Sequence, residues 1–130
     1  YVAGQMVKAM LKKRIQVEGA RVLMMGLAFK ENCPDLRNTR VVDVVVELQD
    51  YGVQVDVHDP WVDAEEARAE YGIELVGMPE PDAYDGIVLA VAHDYFREKG
   101  SSALRGYGRT VHVFCDMKSA FVPDQSDQRL

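Results

Sequence analysis

Short apolar runs alternate with helix-patterned stretches along this chain, and that alternation restricts its fold more than any other feature. After Arg21, residues 22–25 are an apolar run closed by Gly26, the pattern of a strand buried on both faces. Residues 53–58 alternate apolar and polar side chains, residues 73–76 form a brief third strand, and 86–91 and 110–115 supply two more. Parallel strands joined through helices at this spacing need right-handed crossovers. The expectation is a Rossmann-like α/β domain, a parallel sheet with helices on both faces.

Residues 1–14 place Val2, Met6, Val7, Met10 and Leu11 at helical spacing. Such a segment suits the end of a linking helix entering from a preceding domain, and a chain that opens on Tyr1 reads as a piece of something longer. The expected division is 1–18 for the end of that inter-domain helix with its linker, and 19–130 for the domain itself. A second helix is expected from Asn38 or Thr39 to Tyr51. Its Val41, Val42, Val44, Val45, Val46 and Leu48 cover most of the circumference, while Arg40, Asp43, Glu47 and Asp50 leave a single wet stripe. Gly52 is its natural stop. Asp59-Pro60-Trp61 turns the chain, and residues 63–71 read as a charged surface helix ended by Gly72. Pro79 and Pro81 force a loop. A helix or turn covers residues 93–99, and the polar tail after Pro123 is expected to fray.

Composition bounds the function. At 130 residues, 48% hydrophobic and 28% charged, the chain has the size and balance of one globular domain. Its apolar runs fall far short of the roughly 18 residues a membrane span needs. Cys33 and Cys115 make neither a disulfide framework nor a zinc spacing, so a cytoplasmic location is expected. The net charge of −6 argues against a general nucleic-acid binder. That charge is uneven, however. Residues 1–40 carry eight Lys/Arg against three Asp/Glu, and residues 41–130 carry seven against eighteen.

Ligands of such sheets bind beyond the carboxyl ends of the strands. That edge receives residues 26–37, 92–95 and 116–118. The dinucleotide fingerprint GxGxxG is missing there: Gly26-Leu27-Ala28-Phe29-Lys30 has one glycine and a bulky Phe where a pyrophosphate needs close backbone approach. Without that fingerprint, Asp59 reads as a turn-former before Pro60 rather than a ribose ligand. The loop does offer a stacking face in Phe29, cations in Lys30 and Arg37, and the N–H groups of a helix start at Asn38 or Thr39. Lys118, just past the last strand, reaches the same edge. This set suits a base with a diphosphate. It equally allows a local ion network in which Lys30 and Arg37 pair with Glu31 and Asp35.

Cys33 lies before Pro34 with no histidine nearby in sequence, and reads as structural rather than as a nucleophile. The histidines form no HxH or HExxH pattern, so no metal is expected. A phospho-receiver domain would need acidic residues after the first strand, where Gly26 and Leu27 stand.

The long loop Gly26-Leu27-Ala28-Phe29-Lys30-Glu31-Asn32-Cys33-Pro34-Asp35-Leu36-Arg37-Asn38-Thr39 resembles that of the UDP-glucose/GDP-mannose dehydrogenase family, in its C-terminal UDP-binding domain. Val57-His58-Asp59-Pro60 resembles the family's DP turn, and Val113-Phe114-Cys115-Asp116-Met117-Lys118 its last strand and following turn. The Glu31–Thr39 wording looks most like the branch that oxidises UDP-N-acetylhexosamines, UDP-GalNAc or UDP-GlcNAc, for surface polysaccharide synthesis. The resemblance implies an N-terminal NAD-binding domain, a central helical dimer domain and this C-terminal one, in a homodimer when full length. It implies oxidation of the sugar's primary alcohol to a carboxylate, with NAD as cofactor and a catalytic Cys located before Tyr1. Neither Cys33 nor Cys115 matches that motif, so no catalytic residue is expected here and the chain alone should be inactive. By the same resemblance Phe29 and Lys30 meet the UDP-sugar, and Arg37 reaches NAD held by the other domain. Lys118 falls where glucose-oxidising members carry an Arg, keeping the charge without the bidentate fork. Taken without the resemblance, the residues leave open a stand-alone regulatory module that binds a nucleotide without chemistry.

Overall fold

The computed structural model describes residues 1–129. Helix α1 (Val2–Lys12) leads into β1 (Arg21–Met25), followed by α2 (Val41–Asp50), β2 (Gln54–His58), α3 (Ala64–Tyr71) and β3 (Tyr84–Leu89). Then come α4 (Asp94–Arg105), β4 (Gly108–Asp116) and the short β5 (Gln128–Arg129). Among the described residues the strands form one sheet in the order β2-β1-β3-β4-β5, with every pairing parallel. The Rossmann-like expectation is met.

Alternation along each strand sorts side chains onto two faces. Val22 and Met24 of β1, Val88 of β3, and Val113 and Cys115 of β4 join one core, which α1 and α2 cover with Met6, Met10, Val45 and Leu48. Leu23, Met25, Ile87, Leu89 and Phe114 join the other, closed by Phe96 and Leu104 of α4. Met6 and Met10 are fully buried, so α1 is itself one of the layers of this fold. Each such side chain contributes roughly 1.5–3 kcal/mol relative to leaving it in water.

Several expectations need correction. The run at 73–76 is not a strand; it makes a single parallel bridge, Leu75 to Val57, between the left-handed Gly72 and the loop of Pro79 and Pro81. Helix α2 starts at Val41 instead of residue 38 or 39. Asn38 has a positive φ of 62°, and the Thr39 hydroxyl donates to the Leu27 carbonyl at 2.7 Å, so both residues belong to the loop. The wet face of α2 is wider than the expected single stripe, because Val46 is 48% exposed. Helix α4 runs past residue 99, with a break at Gly100. The tail through residue 129 is docked rather than frayed, and residue 130 lies outside the described residues. A 3-10 turn over Pro123–Gln125 leads to β5, which pairs with Cys115 and Asp116, and Asp127 Oδ2 accepts the Phe114 N–H at 2.7 Å.

Candidate functional site

Register brings the strand ends level. Met25 sits opposite His58 on one side and Leu89 on the other, and Leu89 sits opposite Asp116. The chain segments that follow these residues therefore leave the sheet side by side, along the carboxyl edge where ligands of such folds bind. Three polar residues at or just past the strand ends shape those segments: Asp59, His93 and Asp116, each at least nine-tenths buried.

Asp59 does more than form the turn its sequence context suggests. It accepts the Trp61 N–H at 2.8 Å through Oδ1, while Oδ2 accepts the Leu27 and Ala28 N–H groups at 2.7 and 2.9 Å. The same oxygen lies 3.0 Å from His93 Nε2. The Asn32 N–H donates to His93 Nδ1 at 2.8 Å, which assigns the proton to Nε2 and leaves the imidazole a neutral donor to Asp59. Burial pushes the Asp59 carboxyl up, yet the His93 donor and three backbone N–H groups outweigh it and hold the group below its ordinary value. Trp61 stacks on the outside of the His93 ring, with centroids 6.1 Å apart. At the far strand, Asp116 accepts the Lys118, Ala120 and Phe121 N–H groups at 3.2, 3.0 and 2.9 Å, shaping the turn that carries Lys118. The sequence signal for all three is a polar residue terminating an apolar run at this edge.

Phe29 is 53% exposed on the β1 loop and Lys30 beside it is exposed. Lys30 makes no ion pair among the described residues, so the Lys30–Glu31 half of the local network does not form. The Arg37 half does: Nε and Nη2 donate to the two Asp35 oxygens at 3.1 and 3.2 Å, and the Arg37 N–H donates at 2.8 Å. Lys118 is exposed just past the end of β4, two strands from β1, so the ends of those strands lie about 10 Å apart at the usual strand spacing. The structure thus sets Phe29, Lys30 and Lys118 on one edge, with Arg37 engaged by Asp35.

Gly26 does not serve a pyrophosphate. Its φ is +100°, and a Cβ there would lie 2.5 Å from Val91 Cβ, so the glycine allows the loop to cross β3's exit. Leu27 and Ala28 behind it are buried. The residues present do not form a dinucleotide cradle. Among the described residues no cluster of His, Cys, Asp and Glu could hold a metal ion. Cys115 is buried and its thiol is pushed up to about 12 by burial and by the neighbouring Asp116. A depression of about 700 Å³ lies at the opposite, amino edge. Its charges are mixed and in part neutralised internally, Arg109 pairing with Asp85 at 3.5 Å, so the carboxyl edge is the better candidate.

Comparison with known proteins supplies the family. The model of the UDP-glucose/GDP-mannose dehydrogenase family, UDP binding domain, matches residues 23–123. Two curated relatives carry the name UDP-N-acetyl-D-glucosamine 6-dehydrogenase, one from Pseudomonas aeruginosa at 61% identity and one from Salmonella typhi at 53%. Both align over the whole of this chain. The chain spans 31% of the length of each. Among solved structures, an NDP-N-acetyl-D-galactosaminuronic acid dehydrogenase from Methanosarcina mazei superposes on 95% of this chain. It does so with a TM-score of 0.79 at 24% identity, over 26% of its own length, and supports the fold. The chain belongs to the UDP-glucose/GDP-mannose dehydrogenase family, and it corresponds to the UDP-binding domain.

Proposed function

We propose that this chain is the UDP-sugar-binding part of an NAD-dependent UDP-N-acetylhexosamine 6-dehydrogenase, an oxidoreductase that converts the sugar's primary alcohol to a carboxylate for surface polysaccharide synthesis. One observation carries the reading: an exposed aromatic ring and a cation outside any ion pair among the described residues, Phe29 and Lys30, on a braced turn at the carboxyl edge of the sheet. The ring is suited to stack on a base and the ammonium to meet a diphosphate. Lys118 contributes a second cation from the loop after β4. The names of the two relatives favour N-acetylglucosamine as the sugar.

NAD belongs to the preceding domain in this reading, since the residues here make no cradle for it. Arg37 reaches toward it with the donors that Asp35 leaves over. Residues 1–18 are the end of the helix linking a central dimer domain to this one, and 19–130 the domain. The full protein is a homodimer, and this chain alone is inactive. Two free cysteines, Cys33 and Cys115, fit a reducing compartment, the cytoplasm. Among the described residues no helix is long and apolar enough to cross a membrane.

Calorimetric titration of the chain with UDP, UDP-GlcNAc, UDP-GalNAc and NAD at low salt tests this. Binding of the UDP compounds without NAD supports a site completed by other domains. NAD binding without UDP binding would remove Phe29 and Lys30 from the substrate site.

A further inference from the structure

We infer that Asp59 and His93 are positioning residues for ligand binding: a buried carboxylate–imidazole pair that holds the Phe29–Lys30 turn in shape from both of its ends. The inference rests on the reading of Phe29 and Lys30 given above. The pair grips the entrance through Leu27 and Ala28, whose N–H groups meet Asp59 Oδ2, and the exit through Asn32, whose N–H meets His93 Nδ1. The Nε2–H to Oδ2 bond joins the two grips. Asn32 Oδ1 also accepts the Asp94 N–H at 3.0 Å, tying the exit to the first turn of α4. Between the grips stand Phe29, Lys30 and Glu31, all exposed. The one further backbone tie on these three among the described residues is the Phe29 N–H to the Asp35 carbonyl, at 2.8 Å.

Neither member of the pair can touch a ligand. Asp59 is 4% exposed, and His93 is fully buried between Trp61 and Phe96. Fold stability alone is a weak reason for such a pair, because a well-packed apolar pair of similar volume is often as stabilising. What an apolar pair cannot do is accept three backbone N–H groups from opposite ends of one turn. Fixing backbone before the ligand arrives removes an entropic cost from binding.

The test uses three variants of the chain, with UDP as the probe. His93→Gln keeps a donor for Asp59 and an acceptor for Asn32, while His93→Leu keeps neither; Asp59→Asn removes the charge at constant shape. His93→Leu and Asp59→Asn should weaken UDP binding by about tenfold or more, and His93→Gln should stay within about threefold of the parent. In parallel, amide hydrogen exchange at Leu27, Ala28 and Asn32 should accelerate in His93→Leu and not in His93→Gln. A merely structural pair would lower melting temperature in all variants, and could speed exchange at these amides, yet leave the UDP affinity of the folded protein unchanged. That result, in either His93→Leu or Asp59→Asn, overturns the inference. If the parent does not bind UDP, the site reading fails instead, and the exchange rates still decide whether the pair shapes the turn. Should His93→Leu not fold, Asp59→Asn carries both measurements.

Discussion

Access separates the two cysteines. Cys115 is 2% exposed on β4, and burial beside Asp116 keeps its thiol protonated at any ordinary pH. Cys33 lies in the β1 loop and is partly exposed. Alkylation of the native chain at mildly alkaline pH should therefore modify Cys33 alone, and Cys115 should react only after denaturation, as peptide mass mapping would read. Modification of native Cys115 would mean that the β4 core opens readily. The cations divide similarly. Arg37 is held in its bidentate pair and keeps the Asp35 carboxyl below its ordinary value, whereas Lys30 stands free of any ion pair among the described residues. Lys30→Ala should weaken UDP-sugar binding by about 1–3 kcal/mol, the scale of a lost charged hydrogen bond. Calorimetry on the folded variant measures it, and an unchanged affinity would take Lys30 out of the site. The chemical types at this scale are legible in the sequence, because an aromatic next to a lysine in a strand-to-helix loop is a local pattern. Which of Lys30 and Arg37 carries a partner is not, because each has an acid within two residues, Glu31 for Lys30 and Asp35 for Arg37.

At the scale of elements, the tail shows how a few atoms can dock a segment with little apolar area. Asp127 accepts the Phe114 N–H through Oδ2, receives Arg105 Nη1 on the same oxygen at 3.2 Å, and pairs with Lys13 Nζ through Oδ1 at 3.3 Å. One carboxylate thereby joins α4, β4 and the residue after α1 to the segment that leads into β5. Asp127→Ala should release residues 123–129 from the sheet edge and cost roughly 1–3 kcal/mol, because the Phe114 N–H loses its partner. Urea unfolding gives the cost, and faster amide exchange at Phe114 would locate it. A stability equal to the parent would show that β5 holds by its backbone pairing alone. A two-residue strand carries no hydrophobic period, which is why composition suggests a frayed end. The same absence of local signal explains the run at 73–76: apolar content suggests a strand, but pairing needs a free neighbour in register, and only Leu75 finds one among the described residues. Helix α2 is visible as a valine-rich period, while its first residue is set by Thr39 bonding back to Leu27.

For the molecule as a whole, acid is the informative variable. Asp59 and Asp127 are both raised by burial and lowered further by the donors around them, so their folded values lie below the ordinary 3.8. The unfolded chain then binds more protons as pH falls, and the stability these groups contribute is present above the unfolded value and lost as pH drops through the folded one. The contribution of these two carboxylates to the unfolding free energy should be flat from about pH 5 to neutrality and fall as pH is lowered below that. Asp59→Asn and Asp127→Asn should each flatten that slope, and urea melts across the range would show it; a slope unchanged in both variants would assign acid sensitivity elsewhere.

Local pattern along the chain was enough for the class of fold, the cores of β1 to β4 and the residue types on the carboxyl edge of the sheet. Those follow from periodicity and from the loop motif, which are properties of neighbours in sequence. It took the assembled sheet to set the ends of β1, β2, β3 and β4 level, and to bring Asp59 and His93, 34 positions apart, together across the same loop. The physical reason is register. Parallel pairing between distant strands sets which buried polar atoms face each other, and a backbone N–H in the β1 loop can be satisfied only by whichever groups that register delivers.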